Sequence, residues 1–265
     1  LALPWKAKAY IGRTLRCDDG DFVIRDNTDS TLFFVDNVVP TTTASSVCRG
    51  VYTAPIALTV TGDGTMLLDD TLEITSMSVA SGVTLTHTEP RLAGTSQSVQ
   101  VFATGAITLA QGASIDVSGR GFPARYGPAP NGSNSFAGAS QTSGGSHGGV
   151  GGGPATNATY GDPAAPVTAG AGGGTNGGVG GGVVRLSGAT IQIDGIIAAD
   201  GLPAPGAGGG AGGSIWLTGV LNGTGPITAH GGAGDNGGGG GRIVATGANA
   251  STDGGTPNGT AGTVQ

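Results

Sequence analysis

Four tracts constrain this chain more than any other feature: Gly144–Gly153, Gly170–Gly178, Gly206–Gly213 and Gly234–Gly241 are built mostly of glycine. Glycine has the most backbone entropy to lose on folding and no side chain with which to build a core. A chain with 56 glycines in 265 residues therefore stays disordered or orders them through backbone hydrogen bonds dense enough to offset that loss. Disorder goes with low hydrophobicity and high net charge. Here 37% of residues are hydrophobic and the net charge is only −6, so order is the better reading. The tracts also recur at matching places between strand-like units. We read them as extended polyglycine segments lying side by side, joined through N–H and C=O, with glycine chosen because a missing Cβ lets backbones approach.

The rest of the chain carries strand and turn signals. Leu, Glu, Lys and Ala never assemble into a 3.6-residue stripe, while short alternating apolar runs are separated by Gly, Asn and Asp. From about residue 56 the runs repeat. LEITSMSVASGVTLTHT from Leu72, VQVFATGAITLAQGASIDVSG from Val99, VVRLSGATIQIDGIIAADG from Val183, SIWLTGVLNGTGPITAHGG from Ser214 and RIVATGANASTDGG from Arg242 align. Within each group the starts are separated by about 27–31 residues, the window of stacked repeats. A unit this short cannot bury its own apolar face, and stacking on the next unit does so with ladders of Ile, Val and Leu. The expected fold class is all-β: a right-handed parallel β-helix (β-solenoid) with polyglycine-rich segments, three-sided if each unit holds three short strands. An antiparallel sandwich is the competing architecture. A long insertion at about 122–181 lacks strand signals.

Residues 1–55 differ, with fewer glycines and much of the charge. They are expected to form a small N-terminal β cap or arm, with the solenoid over 56–265. Leu3, Trp5, Ala7, Ala9 and Ile11 alternate on one face of a strand suited to pairing with a neighbouring chain's open edge. Phe22–Ile24 and Leu32–Val35 read as two strands joined through the polar Asp26–Asp29 turn. Cys17 and Cys48 read as one disulfide, which in an exported protein contributes ~3 kcal/mol by closing the loop between them. Asp18, Asp19, Asp21, Asp26 and Asp29 crowd two turns and form a candidate Ca²⁺ site, although CDDGD lacks the full ligand order of an EF-hand loop. Calcium is the one cofactor this predicts.

No catalytic residues are predicted. His87, His147 and His230 lie in separate segments without metal-ligand spacing and read as surface or turn positions. No Ser/His/Asp set and no nucleophile elbow suggests itself. The carboxylates on the repeats are Asp116, Asp194, Asp200 and Asp235, of which Asp116 and Asp194 share a strand context that could stack them on successive coils, as a solvated polar ladder or a cation site rather than a catalytic pair. Asn131, Asn157, Asn222, Asn249 and Asn258 open Asn-x-Ser/Thr triplets and are candidate glycan acceptors. An acidic pI near 4.8 argues against nucleic acid as a partner, and no apolar run reaches the length of a membrane-spanning helix. A chain that begins at Leu1 without a signal-like segment fits a processed, exported form.

The run GVTLTHT, then IDVSGRGFPARYGPAP, GGSHGGVGGG, YGDPAAP, a GxGGG tract, GGSIWLTG, ITAHGG and GGGGGRI resembles a recurring arrangement in large glycine-rich surface proteins of bacteria. It is also similar to the β-helical passengers and haemagglutinin-like repeats of exported adhesins. The resemblance covers about residues 72–245. It implies a parallel β-helix on or outside the cell and no enzymatic activity, and it leaves residues 1–55 unexplained. The expected function is an extracellular structural protein that assembles with copies of itself into a filament or surface layer through its N-terminal strand. The alternatives are a monomeric surface adhesin or carbohydrate-binding stalk and, behind that, a β-helical polysaccharide-active enzyme. An ice-binding face is a further reading, from the alternation of Thr84, Thr86 and Thr88.

Overall fold

The computed structural model describes residues 57–69, 71–88, 98–128, 138–245, 251, 254 and 259–265 with their side chains. It adds the backbone of 14–17, 20–27, 32–34, 48–50 and 250. Described secondary structure is strand only, with no helix among the described residues.

Four strands, β1 (Thr14–Cys17), β2 (Gly20–Asn27), β3 (Leu32–Phe34) and β4 (Cys48–Gly50), form an antiparallel sheet in the order β3-β2-β1-β4. The two strands read from Phe22–Ile24 and Leu32–Val35 pair as a hairpin, with Asn27 opposite Leu32. Cys17 on β1 is the register partner of Cys48 on β4.

Every pairing from residue 57 onward is parallel. The chain runs through β5 (Ala57–Val60) and β6 (Gly64–Leu67), then β7 (Leu72–Ile74), β8 (Ser76–Val79) and β9 (Val83–Thr86). It continues through β10 (Val99–Ala103), β11 (Ala106–Leu109) and β12 (Ser114–Asp116). After the insertion come β13 (Val183–Ile193), β14 (Ile196–Ala198) and β15 (Ala204–Gly208). The last strands are β16 (Ser214–Asn222), β17 (Ile227–Thr228), β18 (Gly234–Asn236), β19 (Arg242–Val244), β20 (Ala250–Ser251) and β21 (Thr263–Val264). One sheet is ordered β21-β19-β16-β13-β11-β8-β5, with β7 and β10 joined beside it; the second is β20-β17-β14-β12-β9-β6; the third is the pair β15-β18. The chain passes from the first sheet to the second and back, and each return lays a strand parallel to its predecessor. This excludes the antiparallel sandwich for these residues. Among the described residues a strand of the third sheet occurs only in the two passes that carry β15 and β18.

The registers match the repeat units. Val183 pairs with Ser214 and Ser214 with Arg242, while Leu72 pairs with Val101 and Val99 with Val184. Alternating residues point inward and stack in columns. In the first sheet Leu58, Met77, Ile107, Ile191 and Leu221 follow one another; in the second, Met66, Leu85, Ile115, Ile197 and Ile227 do. Ile107, Ile115, Ile191, Ile197 and Ile227 are wholly buried, each contributing about 1.5–3 kcal/mol by leaving water. Turns between the sheets use glycine where the backbone enters the left-handed region, as at Gly82 (φ +84°) and Gly112 (φ +80°), joined on successive passes by Gly82 N donating to Gly112 O at 3.0 Å.

The glycine tracts pack against one another as a bundle of extended segments. Gly209 and Gly212 donate to Asn236 and Gly239 at 2.9 and 3.0 Å, whereas Gly210 and Gly213 donate to Leu202 and Ala199 at 3.0 and 2.7 Å. Ala211 and Ser214 donate to Ala171 and Gly182 at 2.8 and 2.9 Å. Every third amide thus faces the same side, the repeat of an extended chain with three residues per turn. Gly178 and Gly181 repeat the step toward Gly208 and Ala211, at 2.9 and 2.8 Å. The insertion belongs to this bundle: Gly145 donates to Gly209 at 2.9 Å and Gly149 to Gly240 at 2.8 Å. A Cβ on Gly173 would strike the carbonyl of Gly208, and one on Gly209 the carbonyl of Gly232. Close backbone approach is what requires glycine there.

Candidate functional site

Where the glycine bundle meets the first sheet, three segments far apart in sequence close around one imidazole. His147 is fully buried. Its Nδ1 lies 2.8 Å from the carbonyl of Gly212 and its Nε2 3.0 Å from Thr168 Oγ1. A carbonyl only accepts, so Nδ1 carries the proton and Nε2 accepts from the threonine hydroxyl. The Tyr160 ring packs at 4.8 Å from the imidazole, tilted by 36°. Tyr160 donates its hydroxyl to Ala169 O at 2.6 Å and its amide to His147 O at 3.1 Å. Arg242 donates Nε to Tyr160 O at 2.9 Å and Nη1 to Thr263 Oγ1 at 3.1 Å. Ser214 Oγ donates to Thr168 O at 2.6 Å.

Burial holds His147 down to about 4 from an ordinary 6.5, opposed by its bond to Gly212 and helped by the nearby Arg242 charge. Burial likewise raises the Tyr160 phenol well above its usual range, against the pull of Arg242. Both rings are neutral at pH 7 and their polar atoms are bonded, so this node is a joint: it ties the insertion to the sheet and leaves no free base. GGSHGGVGGG, YGDPAAP and GGGGGRI, quoted above as elements of one recurring order, supply His147, Tyr160 and Arg242 and meet here.

His147 therefore departs from the expected surface and turn positions. His87 is also fully buried, with Nδ1 2.8 Å from Thr88 O and, among the described residues, no partner on Nε2. Burial lowers its pKa, against its bond to Thr88 and the Asp69 charge. Thr86, one residue before His87, is buried, with its hydroxyl unpartnered among the described residues, so Thr84, Thr86 and Thr88 do not form an exposed ice-binding row.

His230 is partly exposed at a corner of the second sheet. Its Nε2 lies 3.3 Å from Ser251 Oγ and its Nδ1 3.9 Å from Asp200 Oδ1. The structure thus brings together a Ser, a His and an Asp that sequence spacing did not link. The 3.9 Å separation is too long for the carboxylate to orient the ring by a hydrogen bond. Both carboxylate oxygens are engaged elsewhere, Oδ1 by the His230 amide at 2.6 Å and Oδ2 by Thr228 Oγ1 at 3.1 Å. Asp200 works as a clasp between successive passes.

The other repeat carboxylates do not stack. Asp116 is in register with Ala198 rather than Asp194, which lies beyond β13 with its amide bonded to Leu109 O. The strand-context match failed because one aspartate ends a strand of the second sheet and the other follows a strand of the first. Asp116 accepts from Ser118 N at 2.9 Å, Asp194 from Gln192 Nε2 at 2.9 Å, and Asp235 from Gly206 N at 3.2 Å. Among the described residues no group of three or more His, Cys, Asp or Glu converges to hold a metal.

On the outer face of the first sheet the Arg185 guanidinium carbon lies 4.9 Å from the centre of the Phe102 ring and 4.1 Å from that of Trp216. All three side chains are half-buried. The motif search missed this group because no local spacing connects residues 102, 185 and 216.

Of the glycan candidates, Asn222 is exposed at the end of β16. Asn157 accepts from Ser146 N at 2.9 Å and donates Nδ2 to Ser146 O at 3.0 Å and Ala158 O at 2.9 Å. Asn131, Asn249 and Asn258 lie outside the described residues, as do Leu3, Trp5, Ala7, Ala9 and Ile11 of the predicted assembly strand. So do Asp18, Asp19 and Asp29 of the candidate Ca²⁺ site; Asp21 and Asp26 are placed on β2 by backbone alone. No helix among the described residues is long and apolar enough to cross a membrane.

No family model matches the chain, and no curated protein or solved structure matches it significantly.

Proposed function

We propose that this chain is a right-handed parallel β-helix braced by its polyglycine bundle, and that it serves outside the cell as a non-catalytic structural subunit that joins copies of itself end to end. Handedness follows the strong preference of crossovers between parallel strands. The observation that carries the assembly reading is the first described parallel pass. Among the described residues β5 and β6 are each paired on one side only. In this pass the apolar columns are incompletely covered, with Leu58, Val60 and Met66 only partly buried. A face that offers unpaired N–H and C=O groups beside an apolar column is a template for another copy. Contact of that edge with a different face of the next copy is head-to-tail and generates an open filament rather than a closed dimer.

An oxidising compartment fits the opposition of Cys17 and Cys48. Register partners in an antiparallel pair lie about 4.5–5.5 Å apart at Cα, within disulfide reach.

Electron microscopy of the purified native protein, with calcium present, tests the proposal. Filaments or sheets are expected, and deletion of residues 1–12 should abolish them while circular dichroism still reports folded β-structure. Dispersed single particles from the full chain would overturn self-assembly; normal polymers from the truncated chain would overturn the role of the N-terminal strand.

A further inference from the structure

We infer that the outer face of β10, β13 and β16 binds an acidic polysaccharide, with Arg185 taking a uronic-acid carboxylate and the Phe102 and Trp216 rings seating the adjoining sugars. Alternation along the strands sets this arrangement. Val184, Leu186, Ile215 and Leu217 turn inward and are buried, which leaves Arg185 and Trp216 on the opposite face. Arg185 is in register with Trp216 on one side and Gln100 on the other, and Phe102 is its diagonal neighbour. The guanidinium thus lies over two aromatic rings, at 4.9 and 4.1 Å from their centres, on a sheet whose strands are spaced about 4.8 Å apart.

Three observations give this platform a ligand chemistry. First, among the described residues the Arg185 guanidinium has ring contacts but no hydrogen bond or ion pair. A fork of five N–H donors held by ring faces is suited to bidentate capture of a carboxylate. Second, among the described residues no carboxylate pairs with this cation, so the attraction for an anion is local to Arg185 and works against a chain that is acidic overall, at −6. The neighbouring carboxylate, exposed Glu73, is in register with Phe102 on β7. Third, aromatic rings on a flat sheet offer apolar area to the faces of sugar rings while leaving their hydroxyls wet. One guanidinium is too little charge for nucleic acid, whose affinity comes from many phosphate contacts. The inference does not rest on self-assembly and is read on unpolymerised chain.

Titration calorimetry of the full chain with polygalacturonate, at low and moderate salt and with neutral dextran as control, tests it. Polygalacturonate should bind and dextran should not. Arg185→Met, which keeps the stem over the rings, should weaken binding at least tenfold. Arg185→Lys, which keeps the charge without the fork, should fall between the two. Glu73→Gln should bind as well as the parent or better. Absence of polygalacturonate binding, equal binding of dextran, or unchanged affinity in Arg185→Met would overturn the proposal. If Arg185→Met fails to fold, the Lys variant decides, and parental affinity there would overturn the role of the fork. An Arg185 that only braces the sheet would lower thermal stability when replaced and give no binding in the parent.

Discussion

Burying an imidazole removes its hydration, and His147 replaces it with the Gly212 carbonyl and the Thr168 hydroxyl. The threonine hydroxyl could rotate to accept from a protonated Nε2, but the charged ring would have to sit in this site without its water, and that burial cost dominates. The folded pKa is therefore lowered, to about 4 from an ordinary 6.5. Between those values the unfolded chain binds the proton and the folded one does not, so stability is full above about pH 6.5 and is lost as pH falls toward 4. The loss is about 3 kcal/mol by linkage. Denaturant unfolding at a series of pH values should show this slope, and the His147 ring resonances should stay unshifted until near pH 4. Titration of that ring near 6.5 would contradict the burial argument. Trp216 and Phe102 show the complementary case at the surface, where ring faces hold a charge that keeps its water.

At the scale of elements, glycine serves two purposes that substitution separates. Gly206 has φ +80° with open space where a Cβ would stand, so its requirement is conformational. Gly209 lies outside the left-handed region, but a Cβ there meets the Gly232 backbone. Gly206→Ala should cost about 1 kcal/mol through backbone strain alone. Gly209→Ala should cost about 3 kcal/mol or more, because a displaced segment loses bonds to several neighbours at once. Thermal and denaturant unfolding of the two variants checks the order; equal costs would mean that the bundle yields. The β-sheet half follows ordinary core logic, its branched side chains stacking on copies of themselves.

At the scale of the whole molecule, each pass contacts its neighbours and order propagates along the stack. The first and last passes have one neighbour each among the described residues, whereas Gly209–Ser214 are bonded on several sides. Hydrogen exchange should accordingly be slowest at Gly209–Ser214 and in β13, and fastest in β5, β6 and β21. Uniform protection would show that the molecule unfolds only as one cooperative unit. If the chains polymerise, protection at the two ends should rise on assembly while the middle stays unchanged.

Much of this architecture was legible locally, because a strand exposes its period of two and a repeat exposes its spacing. The units at Val183, Ser214 and Arg242 align as their strands pair, and the strands read at Phe22–Ile24 and Leu32–Val35 pair with each other, with β2 running on through Asp26 and Asn27 of the predicted turn. The pass at Ala57–Leu67 and the strand Thr263–Val264 were less evident: short edge segments carry few residues to show a pattern. The glycine tracts announced side-by-side backbones, since no other residue tolerates such approach. Which tract bonds to which could not be read from them, because a backbone hydrogen bond leaves no side-chain trace. The same limit hid the joint of His147, Tyr160 and Arg242 and the surface group of Phe102, Arg185 and Trp216. Each is assembled from residues on different passes, and only the stacking of one pass on the next brings them together. Sequence alone determined that this chain would be strands and packed glycine, through propensity, period and the missing Cβ. Tertiary structure decided which polar groups are buried and bonded and which stand outward, because that depends on register between segments up to 114 positions apart, as between Phe102 and Trp216.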